Sequence, residues 1–356
     1  MKGRHLMFDV SIIMPVYNVA EHLPRAIESA LAQKKVIGEI ILVNDGSTDG
    51  SKEICEAYAE KEPLLITVIN QENQGSGPAR NAGMKQASGK FIYFADPDDY
   101  FSDRLLADNL ALVKQRETDI IVFGYTQEKA GRLDTREVRL PRLPQMDTQK
   151  DFRKHFRNFY HFSPYALWNK LYRKEFLTKN NIKFTNQRMG QDALFNIEVY
   201  KHLESVTINR RAYYHYVTHQ GSAVNRYRED RFDLELNIAK SFESLIIEWE
   251  EAEEFKDLIA EEYFNVIYLE TANLVHPDCP FTTEEKVDRL TELWNDIGKN
   301  KIVPGKKDEK NPFRYALLYE MKTGHHRNAL FLMKTRNLAA AKYTKPFTKI
   351  KSFFRN

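Results

Sequence analysis

The stretch "KFIYFADPDDY", residues Lys90 to Tyr100, changes from an apolar run to three carboxylates within four positions. Its first half has the length and composition of a buried β-strand. Its second half places Asp96, Asp98 and Asp99 in a turn before the next helical pattern, where acidic side chains such as Asp103 also cap helices. Adjacent carboxylates repel one another unless a cation lies between them. A divalent metal site and a set of solvated capping residues are therefore the two interpretations of the cluster.

Strand-like and helix-like segments alternate along the chain before this stretch. The apolar runs "VSIIMPVYN", "EIILVNDGSTDG" and "LLITVINQENQG" each precede a segment with apolar residues at helical spacing. This alternation predicts an α/β domain with a mostly parallel central sheet that is covered on both faces. Parallel strands end at one edge of the sheet, and ligands bind there. We therefore expect the polar clusters that end these strands and the acidic turn to form one site.

The alternation ends at about Thr126, where a polar segment with the pattern of an exposed hairpin begins. Aromatic-rich segments follow, and we expect them to close over the edge of the sheet. From about Asp230 the apolar residues recur as in long amphipathic helices. The sequence predicts two domains: a catalytic domain of residues 1–228, and a helical C-terminal module of residues 229–356 that ends in a basic tail.

Composition limits the class of protein. The longest apolar runs of this 356-residue chain have strand length and fall short of the roughly 18 residues that span a bilayer. The N-terminal apolar stretch has no small-residue cleavage site, so a signal peptide is not expected. Only two cysteines are present, which is typical of a reducing compartment and excludes a zinc site built from cysteines. We expect a cytoplasmic protein.

Charge is distributed unevenly. After Glu320 the chain contains nine Lys or Arg residues and no Asp or Glu, interspersed with Leu, Phe, Tyr and Ile. Such a tail can lie on an anionic membrane surface, at the inner face of the plasma membrane. A solvated helix, or a homodimer contact with the acidic remainder of the chain, would account for the same residues. The rest of the chain is acidic and has no recognisable nucleic-acid-binding motif, which argues against a nucleic-acid partner.

The order and spacing of several motifs resemble family 2 of the inverting glycosyltransferases, which have the GT-A fold. The motifs are "SIIMPVYN", "ILVNDGSTDGS", "NQGSGPARNAGMKQASGKFIYFADPDD", "WNKLYR" and "GQDALF". The resemblance covers roughly residues 8–225. It implies a Rossmann-like GT-A domain that binds a nucleotide sugar together with Mn²⁺ or Mg²⁺.

The resemblance assigns one group of residues to the nucleotide. Pro15 and Tyr17 match the exit of the first strand, where the backbone borders the nucleotide. Asp45 matches the aspartate that recognises the base, normally the N3–H of uracil. Asn73 and Arg80 match positions that line the nucleotide pocket. Taken alone, Asp45 is equally consistent with a turn or helix cap, and Arg80 with an exposed charge on a helix.

A second group is assigned to the diphosphate and the metal. Asp96 and Asp98 match the two carboxylates of the DxD motif: Asp96 would approach the ribose, and Asp98 would hold the metal that bridges the diphosphate. Asp99 would orient the sugar or the metal-bound waters. In "HYVTHQGSAVN", His219 is a further candidate for metal or phosphate contact, although a single histidine is more often structural.

The third group concerns the transferred sugar and the acceptor. Asp192 matches the family's catalytic base, and it lies near the start of a helical run, where the helix N-terminus favours a carboxylate. Taken alone, the same position is also consistent with a simple N-cap. Gln191 stands where the family usually has Glu, and an amide cannot act as a base. The resemblance places Trp168, Asn169 and Lys170 beside the acceptor and the donor sugar, although Trp168 is also consistent with a core residue.

The sequence therefore predicts a metal-dependent inverting hexosyl- or N-acetylhexosaminyltransferase. Its donor would be a nucleotide sugar, by resemblance a UDP-sugar, and its acceptor a growing cell-surface glycan, lipid-linked glycan or glycoprotein glycan. A non-catalytic glycan-binding or assembly partner with the same fold is the alternative from another class. A sugar nucleotidyltransferase is a further alternative, which "MPVYNVAEHLPRA" does not favour because it lacks a Gly-rich basic phosphate loop.

Overall fold

The computed structural model describes residues 10–33, 36, 38–114, 117–129, 135–218, 226–302 and 311–342. The chain divides into two compact units between Gln220 and Gly221, close to the domain boundary predicted after residue 228. The first unit is α/β, and the second is helical. That these units are the functional domains stays a prediction. Residues 343–356 of the basic tail lie outside the described residues.

One sheet forms the centre of the first unit. Its strands are β1 (Val10–Val16), β2 (Glu39–Asp45), β3 (Ile66–Gln71), β4 (Phe91–Phe94), β5 (Tyr100–Phe101), β6 (Ile120–Lys129), β7 (Thr135–Val138), β8 (Lys170–Arg173) and β9 (Val206–Thr218). They are ordered β3-β2-β1-β4-β8-β6-β9-β5, with β7 paired to β6. β1 is parallel to β2 and β4, β2 to β3, and β6 to β9, whereas β8 is antiparallel to both of its neighbours. The predicted mostly parallel sheet is confirmed.

Helices cover this sheet. They are α1 (Leu23–Leu31), α2 (Ser51–Lys61), α3 (Ser76–Gln86), α4 (Leu105–Leu112), α5 (Gln149–Phe162), α6 (Lys174–Lys179) and α7 (Gln191–His202). Every residue of β1 and β4 is buried, which explains why these strands are continuously apolar rather than alternating. Helix α3 approaches β1 closely: a Cβ added at Gly83 would lie 2.4 Å from Ile13 Cγ2. Glycine at this position therefore permits the close packing of α3 on β1.

Aromatic side chains hold α5 against α7. Phe152, Phe156 and Phe159 of α5 surround Tyr200 of α7, with ring centroids between 5.5 and 5.8 Å apart. All four side chains are buried. Edge-to-face and tilted contacts at these separations each contribute about 0.5–1.5 kcal/mol beyond the burial of apolar area. This packing fixes α7, whose first turn contains Asp192.

The second unit contains helices of the kind predicted after Asp230. They are α8 (Arg231–Glu248), α9 (Lys256–Leu274), α10 (Thr283–Leu293), α11 (Lys299–Lys301), α12 (Pro312–Lys322) and α13 (His326–Lys342), with a π-helical turn at Trp294–Gly298. Helix α10 begins with a capping box between Thr282 and Glu285. Helix α9 buries residues on most of its circumference, as expected for a helix at the centre of a bundle. In the described parts of both units, no helix is both long and apolar enough to cross a bilayer.

Candidate active site

Two loops at the carboxyl edge of the sheet are joined by hydrogen bonds. Asn18, which follows β1 and has a φ of 50°, accepts a hydrogen bond from the Thr48 amide at 2.8 Å. The backbone N–H of Asn18 donates to Ser47 Oγ at 3.2 Å. Pro15 is buried in β1, whereas Tyr17 is 48% exposed at the start of the loop. The exits of β1 and β2 therefore form one wall, and Tyr17 is accessible to a ligand there.

Asp45, at the end of β2, fixes a third loop on the same edge. Its buried carboxylate accepts hydrogen bonds from Gln71 Nε2 at 2.7 Å, the Gln74 amide at 3.0 Å and the Gly75 amide at 2.8 Å. A carboxylate has about four acceptor positions, so roughly one remains. Asp45 thus shapes the loop that contains the exposed Asn73. Its recognition of a base, and the role of Asn73, stay predictions.

Arg80 is buried, so its alternative interpretation as an exposed helix charge was wrong. Its Nη2 lies 2.9 Å from Asp96 Oδ1, and its Nη1 donates to Ser76 Oγ at 3.3 Å. The guanidinium carbon lies 5.5 Å from the centroid of the Phe184 ring. Nε has no hydrogen-bond partner among the described residues. Arg80 therefore places a fixed positive charge directly beside the acidic turn.

The acidic turn follows β4 and concentrates negative charge. The pKa of Asp96 is raised to about 6, mainly by burial; the charges of Asp98 and Asp192 act in the same direction, whereas Arg80 opposes the rise. The side chain of Asp96 is nevertheless 27% exposed, so a ligand can reach it. The turn does not cap the next helix, because α4 begins at Leu105 without a capping side chain. The capping interpretation of this cluster was therefore wrong.

Asp99 differs from its neighbours because it faces β9. It is buried, and it accepts hydrogen bonds from Tyr214 Oη and the Val217 amide, both at 2.7 Å. Burial raises its pKa to about 8, and the charges of Asp96 and Asp98 add to this effect. The carboxylate anchors the turn to the sheet. Its predicted contact with the sugar or with metal waters is untested.

Asp192 lies in the first turn of α7, one residue after the start of the helix at Gln191 and two after the N-cap Gly190, which has a φ of 72°. It is therefore not the N-cap. The charge of Asp192 contributes to the raised pKa of Asp96, so the two carboxylates lie within electrostatic range of each other. Gln191 is buried, and its Nε2 donates to Ser76 Oγ. Ser76 thus links the N-termini of α3 and α7 around the site, a role that no sequence motif indicated.

The segment "WNKLYR" supports the site from within the fold. Lys170 is 0% exposed, and its ammonium donates to the backbone oxygens of Ser163 and Ala166 and to Asn169 Oδ1. Burial lowers its pKa to about 7, and Asp192 opposes this. Asn169 is also fully buried. Contact of these two side chains with a sugar stays a prediction.

Trp168 is held by aromatic rings of β9. Its ring stacks on Tyr214 at 4.6 Å and on Tyr216 at 5.5 Å, with interplanar angles of 9° and 14°. It is partly buried, which agrees with a packing role and leaves some surface for a ligand. The sequence marked Trp168 but not its partners, because they lie far along the chain. His219 lies outside the described residues.

The acidic side chains are compatible with a magnesium or manganese ion. Among the described residues, no group of three or more His, Cys, Asp or Glu side chains is arranged to hold a metal. Asp96 and Asp98 offer hard oxygen ligands, and the charge of Asp98 adds to the effect of burial in raising the pKa of Asp96. Mg²⁺ is typically bound by one or two carboxylates, with water and substrate phosphates completing its octahedron. The donor set fits a cation that binds together with a diphosphate.

Relatives of this chain are glycosyltransferases by name. EpsJ of Bacillus subtilis (strain 168) is 34% identical over 213 residues, which are 58% of this chain and 60% of EpsJ. EpsH of the same organism is 30% identical over 255 residues, 69% of this chain and 72% of EpsH. Poly(ribitol-phosphate) β-N-acetylglucosaminyltransferase TarS of Staphylococcus aureus (strain Mu50) is 29% identical over 266 residues, 73% of this chain and 44% of TarS. The chain thus spans less than two thirds of EpsJ and less than half of TarS.

Solved structures share the fold. S. aureus TarS 1–349 in complex with UDP-GlcNAc has a TM-score of 0.64 at 22% identity, covering 93% of this chain and 92% of that one. The mannosyltransferase PcManGT of Pyrobaculum calidifontis, in complex with GDP-Man and Mn²⁺, has a TM-score of 0.52 at 15% identity, covering 96% and 89%. These similarities confirm the predicted GT-A-like domain followed by C-terminal helices.

The family model for glycosyl transferase family 2 matches residues 11–179, a range that includes β1 to β4 and the acidic turn. EpsH adds similarity that extends beyond this range and covers most of both proteins. This chain therefore belongs to glycosyl transferase family 2.

Proposed function

We propose that this chain is a metal-dependent, inverting glycosyltransferase that moves a hexosyl or N-acetylhexosaminyl group from a UDP-sugar to a hydroxyl of a growing cell-surface glycan. The observation that carries the proposal is the grouping of Asp96, Asp98 and Asp192 beside Arg80 at the carboxyl edge of the sheet. The TarS name supports both the class of donor and a polymeric acceptor. The enzyme would act in the cytoplasm, where nucleotide sugars are the available donors.

The donor would bind across the ends of β1, β2 and β4. The loop held by Asp45 and the exposed Tyr17 border the space for the base and ribose. Asp96 would approach the ribose, and the Arg80 guanidinium that fixes it would offset phosphate charge nearby. Asp98 would hold Mg²⁺ or Mn²⁺ together with diphosphate oxygens. When bound, the ion supplies positive charge that stabilises the departing nucleoside diphosphate.

The transfer step would use Asp192 as general base. Its carboxylate takes the proton of the acceptor hydroxyl as the hydroxyl oxygen forms a bond to the anomeric carbon. At the same time the bond between the anomeric carbon and the diphosphate oxygen breaks, and its electron pair stays on the diphosphate. Attack from the face opposite the leaving group inverts the anomeric centre without a covalent enzyme intermediate. Asp192 lies in the first turn of α7, where acidic side chains are commonly found. Gln191 cannot accept this proton, so it would serve only to position neighbouring groups.

Calorimetric titration of the full chain with UDP, GDP, dTDP and CDP, each with and without Mn²⁺, tests the proposal. Wild type should bind one nucleotide, UDP, in a metal-dependent way, and Asp98→Ala should weaken this binding by about tenfold or more. Asp103→Ala is the matched control, because Asp103 is an exposed carboxylate just beyond the turn and should not alter the affinity. If none of the nucleotides binds, the chain is a glycan-binding or assembly protein with a transferase fold.

A further inference from the structure

A large cavity in the second unit has no part in the site described above. It has a volume of about 1170 Å³ and is lined by residues of α8, α9, α10 and α13 and of the segments that flank α8 and α9. Its described lining residues all lie after Gly221, in the helical unit. We call it the basic groove because its described lining residues include six cations: Arg226, Arg231, Lys286, Arg327, Lys334 and Arg336.

The charge of the basic groove has one sign. No Asp or Glu is among the described residues that line it. Arg327 is paired with Glu284 at 2.7 Å on the exposed rim, and Arg231 lies 3.8 Å from Glu235. Lys286 and Lys334 have no carboxylate within ion-pair distance in the described part of the chain. Several like charges in one concave wall raise the local positive potential, which favours a ligand with more than one negative group.

Arg336 is held in a fixed orientation. Its guanidinium carbon lies 5.2 Å from the ring centroid of Tyr268 and 5.1 Å from that of Phe313. Its Nη1 also donates to Asn337 Oδ1 at 3.5 Å. These contacts restrict the guanidinium before any ligand arrives, and a guanidinium is well suited to bind phosphate oxygens.

Apolar side chains alternate with the cations along α13. Phe331 is 66% exposed and Leu338 is 61% exposed, and Lys334 lies between them on the same face of the helix. Exposed side chains of this size offer contact area for the carbon segments of a ligand. The alternation matches a chain in which phosphates are separated by uncharged carbon units.

The size and shape of the groove favour a polymer over the other anionic ligands. Its volume is far larger than one phosphate and exceeds the range of about 300–1000 Å³ that is typical of small-molecule sites. Its walls are formed by four helices, a concave shape that a polymer segment can follow. The chain after Lys342 contributes Lys and Arg side chains but no Asp or Glu, so its charge does not complement the groove.

We propose that the basic groove binds a phosphodiester-linked segment of the acceptor polymer. The acceptor role rests on the proposed function, because only a transferase has an acceptor. The groove would retain an anionic polymer between transfers, independently of the nucleotide site.

The test is fluorescence anisotropy of a labelled ribitol-phosphate oligomer titrated with the full chain at increasing NaCl. Wild type should bind with an affinity that falls steeply with salt, because binding releases counterions. The double variant Lys286→Glu/Lys334→Glu should lose affinity by about tenfold or more, because like charges repel. Lys240→Glu/Lys322→Glu is the matched control: it makes the same charge change at exposed positions of α8 and α12 outside the groove, and should bind within about twofold of wild type.

Three results would overturn the proposal. The first is equal affinity of the groove variant and wild type for the oligomer. The second is the absence of oligomer binding together with groove-dependent binding of phosphatidylglycerol vesicles, which would assign the groove to a membrane. The third is saturation by inorganic phosphate with no gain for the oligomer. UDP titration of the same protein separates this test from the proposed function. Groove-dependent oligomer binding without nucleotide binding would refute the proposed transferase function. Nucleotide binding without groove-dependent oligomer binding would refute only the proposed role of the groove.

Discussion

Replacing Lys170 with Met should change how the stability of the protein depends on pH. Lys170 is 0% exposed, and burial lowers its pKa to about 7 although Asp192 acts in the opposite direction. Its ammonium donates to the oxygens of Ser163 and Asn169 at 3.2 and 3.0 Å. The side chain therefore combines a costly burial of charge with hydrogen bonds that no apolar residue can replace.

The sign and the size of the effect follow from proton linkage. The lysine of the unfolded chain titrates near 10.5, so between pH 7 and that value the unfolded chain binds a proton that the folded chain lacks. The contribution of Lys170 to stability therefore rises with pH in this window and is lost as the pH falls toward 7. Each pH unit corresponds to about 1.4 kcal/mol, so from pH 7 to pH 9 wild type should gain about 2–3 kcal/mol from this residue.

Urea unfolding at pH 7, 8 and 9 measures this gain. Lys170→Met should be less stable at every pH, by about 1–3 kcal/mol for each buried oxygen left without a donor, and its stability should lack the rise that Lys170 gives wild type. Lys174→Met is the matched control, because Lys174 also donates to a carbonyl, that of Ala87, but is partly exposed; its pH profile should follow wild type. Parallel profiles for wild type and Lys170→Met would refute the reasoning.

Three further predictions concern the site itself. Arg80→Gln removes the cation that lowers the pKa of Asp96, so Mn²⁺-dependent UDP binding should weaken by about tenfold or more in calorimetry; unchanged affinity would contradict this. Asp192→Asn should lower turnover about 10²- to 10⁴-fold while UDP affinity stays within about twofold, and retained turnover would exclude Asp192 as the base. Gly77→Ala places a Cβ 2.8 Å from the backbone oxygen of Thr185 and should cost about 1–3 kcal/mol, seen as a lower Tm; a Tm equal to that of wild type would show that the contact relaxes freely.

The parts of the fold that local patterns specify could be predicted from the sequence. Buried parallel strands are apolar throughout, and their polar ends mark the carboxyl edge of the sheet, so the acidic turn and the strand exits were placed together correctly. Asp96, Asp98 and Asp192 could be proposed as one site because ordered motifs resemble those of a known family.

Contacts between distant segments could not be predicted. Asp99 accepts hydrogen bonds from Tyr214 and Val217, which lie more than a hundred positions away in the sequence. No residue near Asp99 in the sequence therefore indicated that it is buried. Lys170 is charged, and charged side chains are usually expected at the surface. Only the folded structure shows that neighbouring oxygens satisfy it in the interior.

The attachment of the acidic turn to β9 has a consequence for shortened versions of this protein. The match to the family model ends at residue 179, whereas the strand that supplies hydrogen bonds to Asp99 spans Val206–Thr218. A truncation at the end of the recognised region would delete α7 and would leave a buried carboxylate without donors, a change that costs several kcal/mol. Expression of the first unit alone should therefore extend beyond Thr218, because the segment that folds is longer than the segment that is recognised.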